Sequence, residues 1–252
     1  MKRTRKKFDE RKLVLKKGVL RVDLEKGASE RIQDEVVVES EFRLFINNEP
    51  STVFTCSPSK IRELVIGHLV TQRIIHSPEE VELIKFDKKK IAVRLMRKKD
   101  TDMNKEKRAN NSQESQSIEI NSETILNAAK MLDTRALVFK KTGGTHSAAI
   151  LNSRGEPVVF SEDVGRHNAV DKVVGEAALK RINMKRMVLA LTGRLSSEIV
   201  TKAANAGIPV VISLAASTDK GIDVAQKRGL TLIGFVRGRR FNVYSHTERL
   251  SL

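Results

Sequence analysis

The chain has 252 residues, 40% hydrophobic and 31% charged, a balance ordinary for a globular protein and not for a disordered or membrane one. No apolar run approaches the ~18 residues a membrane helix needs, and the single cysteine, Cys56, excludes an intramolecular disulfide or a cysteine-rich zinc site. A formal net charge of +16 favours acidic partners, either a phosphorylated cofactor or nucleic acid.

The basic start MKRTRKKFDERK leads into no signal core, so we expect a cytoplasmic protein. Much of the charge lies in Lys2 to Lys17 and Lys85 to Arg108, which a solvated tail and loop would carry. Strands are expected at Glu35 to Glu39 and Phe42 to Ile46, then a helix entered at Ser57-Pro58, with Ser as cap and Pro in the first turn. Ile61, Leu64, Val65 and Leu69 recur at helical spacing behind that entry, and a strand at Ile91 to Leu95 follows. From Met96 to Ser117 the chain loses nearly all apolar residues and reads as a loop or linker. The expected division is therefore a β-rich segment over 1–120 and an α/β segment over 121–252.

The second half is regular. A helix is expected over Ser122 to Leu132, a strand over Ala136 to Lys140, and a hairpin of Ser147 to Leu151 with Val158 to Phe160 around NSRGEP. A helix from Asn168 to about Arg181 precedes the strand MVLAL, a helix over Ser196 to Ala206 precedes VVISLA, and a helix over Lys220 to Lys227 precedes LTLIGFV. Phe241 to Tyr244 reads as a short edge strand. Strands alternating with helices imply a parallel sheet covered on both faces.

Four strings can carry chemistry. In TGGTH, Thr142, Gly143, Gly144 and His146 form a glycine turn whose amides can cradle an anion; an ordinary tight turn is the other reading. In EDVGRHNAVDKVVG, Arg166, His167 and Asn168 gather at a helix start, where free amides and a guanidinium suit phosphate; alternatively Asn168 caps the helix and its neighbours are solvated. Thr192, Gly193 and Arg194 follow an apolar strand, and Phe235, Val236, Arg237, Gly238, Arg239 and Arg240 leave another, which is where open α/β sheets bind ligands. Taken singly each is equally well a solvated turn. GxGxxG, GxxxxGK[ST], HExxH and GxSxG are all absent, and His68, His76, His146 and His246 hold no recognisable metal spacing. Aromatics make up 4% of the chain with no tryptophan, so stacking platforms for nucleic acid are few and that reading ranks behind the cofactor.

Together TGGTHSAA, EDVGRHNAVDKVVGEA, TGRLSSEIVTKAANAGIPVVIS and GFVRGRRFNVY resemble the formate dehydrogenase accessory protein family, the FdhD sulfurtransferases, with SPSKIRELVIGHLVTQRII resembling its N-terminal helix segment. The resemblance implies a cytidine-deaminase-like C-terminal domain, a mixed sheet with helices on both faces, a smaller β-rich N-terminal domain, and a homodimer. It further implies that sulfur from a cysteine desulfurase passes to a molybdenum or tungsten bis-pterin guanine dinucleotide, which is then inserted into a formate dehydrogenase apoprotein. The cofactor would lie at FVRGRR with TGGTH and GRHN nearby, and GDP would serve as a surrogate ligand. Typical members carry the persulfide on a CGxCG loop, whose place here is Met96 to Ser117, where no cysteine stands. Cys56, expected before a helix N-terminus that would lower its pKa, is then the candidate for a relocated carrier; a buried small hydrophobe is the other reading.

Overall fold

The computed structural model describes residues 13–96 and 118–251. The Met96 to Ser117 loop, past Met96 itself, and the basic tail up to residue 12 lie outside them.

A six-stranded sheet forms the centre of the molecule, in the order β13-β12-β11-β10-β8-β9. Its strands are β8 (His146–Leu151), β9 (Pro157–Asp163), β10 (Val188–Leu191), β11 (Val210–Ser213), β12 (Thr231–Arg237) and β13 (Arg240–Ser245). Only β10, β11 and β12 run parallel, while β8, β9 and β13 are antiparallel to their neighbours, so the sheet is mixed. The strands separated by helices are the parallel ones, and at both edges short turns, the expected NSRGEP hairpin and the Gly238 turn, return the chain directly and make the pairing antiparallel.

Every residue of β10 and β11 is buried, because both faces of the sheet are covered. On one face Ala149, Leu151, Val188 and Ala190 meet Ile125, Ala128 and Leu132 of α2 (Ser122–Arg135). On the other face Ala148, Ile150, Leu189 and Val211 pack beneath α4 (Arg166–Leu179), α5 (Ser197–Asn205) and α6 (Asp219–Arg228). Helix ends follow local chemistry: Asn121 caps α2, Thr218 caps α6, and Gly229 leaves α6 at φ 70°. The fold is α/β with helices on both faces.

The first half builds a four-stranded sheet in the order β4-β3-β6-β5, from β3 (Ser40–Ile46), β4 (Glu49–Cys56), β5 (Val81–Asp87) and β6 (Lys90–Leu95). Helix α1 (Ile61–Thr71) connects β4 to β5 and inserts between this sheet and α4, so Phe42, Leu44 and Ile91 share one core cluster with Val173 and Leu189. Gly67 and Gly175 let the two helices meet backbone to backbone: a Cβ on Gly67 would lie 1.7 Å from the Asp171 carbonyl oxygen, and one on Gly175 1.9 Å from that of Glu63. Ion pairs bind the same layer. Lys172 reaches Asp163 and donates to the Ser57 carbonyl at 2.9 Å, while Lys202 of α5 donates to Asp171, which also accepts from Thr71 at 2.7 Å. Burial alone would raise the Asp171 carboxyl, but hydrogen bonds from His68 and Lys202 and the Lys202 charge hold it below its ordinary value.

A separate two-stranded ribbon, β1 (Val14–Asp23) with β2 (Ala28–Val37), precedes this sheet. Lys16 and Lys17 are therefore strand residues, exposed in β1, and not part of a tail; the strand expected over Glu35 to Glu39 is the end of β2. Finally β7 (Ile120–Asn121) pairs in parallel with β14 (Leu250–Ser251). No helix among the described residues is long and apolar enough to cross a membrane.

Three local expectations are corrected. The strand over Ala136 to Lys140 is instead α3 (Leu137–Thr142), because the Glu162 carboxylate accepts from the Val138 and Phe139 amides at 3.0 and 2.8 Å and caps a helix start that Ala136 cannot. Ser57 does not cap α1, which begins four residues later behind Lys60 at φ 49°; its hydroxyl accepts from the Val164 amide at 3.1 Å instead. Asn168 does not cap α4, since Gly165 holds that position and Asn168 lies within the first turn.

Candidate functional site

The candidate residues converge because of sheet direction. Parallel β10, β11 and β12 end on the same edge, and antiparallel β8 begins there, with Ala148 paired to Leu191. His146 at the head of β8 pairs with Asp163 at the end of β9, which delivers the chain into α4 through Gly165 and Arg166. One edge of the sheet thus collects His146, Arg166, His167, Thr192, Gly193 and the Phe235–Arg237 segment.

Hydrogen bonds stitch the loops of this edge together. Thr192 Oγ1 accepts from the Ser147 amide at 3.0 Å and lies 3.4 Å from His146 Nδ1. Ser213 Oγ donates to the Gly193 carbonyl at 2.6 Å and accepts from the Ala215 amide at 2.9 Å, and the Ala215 carbonyl accepts from the Phe235 amide at 2.9 Å. Gly193 is required because a Cβ there would lie 2.9 Å from Arg166 Cβ, so the Arg166 side chain lies across that backbone. Phe235 adopts φ 56° at a bulge of β12, a conformation uncommon outside glycine, and bulges re-aim side chains next to binding sites. Arg237 stacks over the Phe235 ring at 5.4 Å and donates to the Leu214 carbonyl at 2.6 Å.

The edge also holds unspent polar atoms. Ser147 Oγ, Arg166 Nε, His167 Nε2 and Ser196 Oγ are shielded from solvent and have no hydrogen-bond partner among the described residues. Glu198 Oε2 comes within 2.9 Å of His167 Nε2 but off the line of a hydrogen bond, a contact that becomes ionic only when the ring is protonated. Buried donors without acceptors cost about 1–3 kcal/mol each, and an anion with several oxygens is the partner such a set fits. Burial, and then the Arg166 charge, hold both His146 and His167 below the usual histidine pKa, so both are largely neutral near pH 7.

Other candidates stand apart. Thr142 Oγ1 donates to the Val138 carbonyl and accepts from the Gly144 amide, which closes α3, and Gly144 abuts the Val37 side chain. Arg194 is exposed in the loop after β10, and Gly238, Arg239 and Arg240 are exposed around the β12–β13 turn. Both Asn168 contacts are structural: its amide donates to the Thr55 carbonyl at 2.7 Å and to Asp163 Oδ1 at 3.1 Å. Cys56 is 0% exposed, and burial, followed by the Asp163 charge, pushes its thiol up to about 12. That reverses the lowering expected from a helix start, because α1 begins five residues later and a buried carboxylate sits closer.

Sequence reading missed Ser147, Ser196 as a ligand group, Glu198, Ser213 and Asp163. All five lie inside strings already singled out, Ser147 in TGGTHSAA, Asp163 in EDVGRHNAVDKVVG, and Ser196, Glu198 and Ser213 in TGRLSSEIVTKAANAGIPVVIS, but nothing local marks them out from their neighbours as functional.

The FdhD/NarQ family model matches residues 37–116 and 100–251. The sulfur carrier protein FdhD of Sulfolobus acidocaldarius is 36% identical over 240 residues, covering 87% of this chain and 92% of its own. That of Methanothermobacter thermautotrophicus is 33% identical over 233 residues, covering 87% and 93%. A crystal structure assigned to the formate dehydrogenase accessory proteins, from Desulfotalea psychrophila, aligns with a TM-score of 0.80 at 25% identity over 95% of this chain and all of that one. With the family's pattern running through both halves of the chain and its architecture reproduced, the protein belongs to the FdhD/NarQ family.

Proposed function

We propose that this chain is an accessory protein of formate dehydrogenase maturation that holds a molybdenum or tungsten bis-pterin guanine dinucleotide at the carboxyl edge of its six-stranded sheet. The cofactor is cargo, and its metal chemistry is used in the client enzyme. The observation that carries the reading is the set of shielded, unpartnered donors at Ser147, Arg166, His167 and Ser196 beside the Phe235–Arg237 bulge. Phosphates suit the donors, and the Phe235 ring with its stacked guanidinium suits a purine. The names of the relatives support the maturation setting. The apoenzyme, a cysteine desulfurase and a second copy of the chain are its partners in this reading.

The test is calorimetric titration with GDP, alongside single-stranded DNA at the same salt. Arg237→Ala is expected to weaken GDP binding about tenfold or more, since a hydrogen bond to a charged group contributes about 1.5–3 kcal/mol. His167→Ala is expected to weaken it by less. A bound anion offsets the Arg166 field and raises both histidine pKa values, so binding takes up protons and affinity rises as pH falls through the ligand-bound values. Titrations in two buffers of different ionisation enthalpy read that uptake. Saturable DNA binding without GDP binding would return the chain to a nucleic-acid role.

The sulfur step is assigned elsewhere. A thiol at about 12 exposes roughly one thiolate in 10⁵ at neutral pH, and Cys56 is enclosed besides. Incubation with a desulfurase and cysteine is expected to leave the intact mass unchanged by any sulfur increment. A persulfide that disappears in Cys56→Ala would restore the sulfur-carrier role to this chain.

A further inference from the structure

We propose that Asp163 and Asn168 are positioning residues that tie the Arg166–His167 turn to the Thr55–Ser57 corner of the N-terminal layer, making that layer part of how the anion-binding groups are presented. The inference rests on the reading of the turn as an anion site. Asp163 is fully buried at the end of β9, and its two oxygens serve two different segments. Oδ1 accepts from the Gly165 amide at 2.8 Å and from Asn168 Nδ2 at 3.1 Å; Oδ2 accepts from the Ser57 amide at 3.1 Å and pairs with Lys172. Asn168 Nδ2 spans the same gap by donating to the Thr55 carbonyl at 2.7 Å, and Ser57 Oγ accepts from the Val164 amide at 3.1 Å.

The turn is thus anchored from both sides of its first helical residues, and the anchors lie more than a hundred residues earlier in the chain. Both protons of the Asn168 amide are committed, which leaves none for a ligand and separates this residue from Arg166 and His167. The purpose of such anchoring is preorganisation: Arg166 and His167 are held with unsatisfied donors in place before the ligand arrives, so ordering is not deferred to binding. His167 faces Arg166, Glu198, Lys202 and Asp171, and burial is the largest influence on its ring.

The test uses the full chain with Asn168→Ala, Asn168→Asp and Ser57→Ala, none of which alters Arg166, His167 or Arg237. In ligand-free protein, proton NMR titration of His167 is expected to move up toward the ordinary histidine value in all three variants, as the loosened turn hydrates the ring. Asn168→Asp should move it furthest, because it places an oxygen against both Asp163 and the Thr55 carbonyl. GDP affinity should fall roughly five- to tenfold, the cost of ordering one or two side chains on binding. Loss of global stability alone would leave the His167 titration of the folded molecules unmoved. Folded Asn168→Ala and Ser57→Ala proteins with an unchanged His167 titration would overturn the proposal. Should wild-type protein fail to bind GDP, the reading of the site fails, while the His167 titration still decides whether the turn is positioned from the N-terminal layer.

Discussion

Replacing Lys172 by Met is expected to lower the unfolding free energy by about 3–5 kcal/mol, the range for removing one partner of a buried ion pair. Lys172 and Asp163 are both 0% exposed, and Lys172 also donates to the Ser57 carbonyl at 2.9 Å. Methionine fills much of the space but leaves the Asp163 carboxylate without its cation and the Ser57 carbonyl with the Ser59 amide, at 2.8 Å, as its remaining donor. Denaturant unfolding monitored by circular dichroism measures the loss as a reduced midpoint. The double variant Lys172→Met/Asp163→Asn should recover part of it, because neutralising the second group removes the uncompensated charge. A single variant as stable as wild type would mean that water or backbone movement solvates Asp163.

The second large effect is expected at the α1–α4 crossing. Gly175→Ala should cost about 3 kcal/mol, at the upper end of the range for overpacking, because the added methyl meets backbone and not a movable side chain. Its Cβ would lie 1.9 Å from the Glu63 carbonyl oxygen and 2.6 Å from the Gly67 amide nitrogen. The helices must separate, which opens the core shared by Leu64, Val174 and Phe54. Gly229→Ala provides the comparison: it has φ 70° and nothing within 4 Å, so only the left-handed conformation is penalised, by about 1–2 kcal/mol. Thermal midpoints for the pair separate the two mechanisms. Equal losses would show that the crossing relaxes more readily than its spacing implies.

The N-terminal layer connects these predictions to function. Lys172, Asp163 and Asn168 reach the Thr55–Ser57 corner, so a defect at that corner disturbs both the interior and the sheet edge. Arg237 and Phe235 lie on a different strand, hydrogen-bonded to the Leu214 and Ala215 carbonyls at the same edge and not to the Thr55–Ser57 corner, and substitutions of these exposed side chains should affect binding with little change in stability.

Several features were determined by the sequence itself because their causes are local. Apolar runs such as VVIS and MVLAL could only be buried strands, Gly207 and Gly229 could only end helices in that setting, and Val170, Val173, Val174, Ala177 and Ala178 marked the core-facing side of α4, all of them buried except Ala178, which is partly so. The position of the candidate site was also legible, because strand ends in an α/β pattern fall on one edge whatever the details of the sheet. Tertiary structure decided the rest, wherever the partner is distant in sequence. Leu137-Val138-Phe139 has strand character, yet a carboxylate from Glu162 makes it helical. Cys56 has the sequence context of an activated thiol, yet burial beside Asp163 makes it inert. Asn168 reads as a cap or a ligand until Thr55 and Asp163 take both of its protons. In each case a short-range preference worth at most about 1 kcal/mol gave way to a buried hydrogen bond or charge whose loss would cost more.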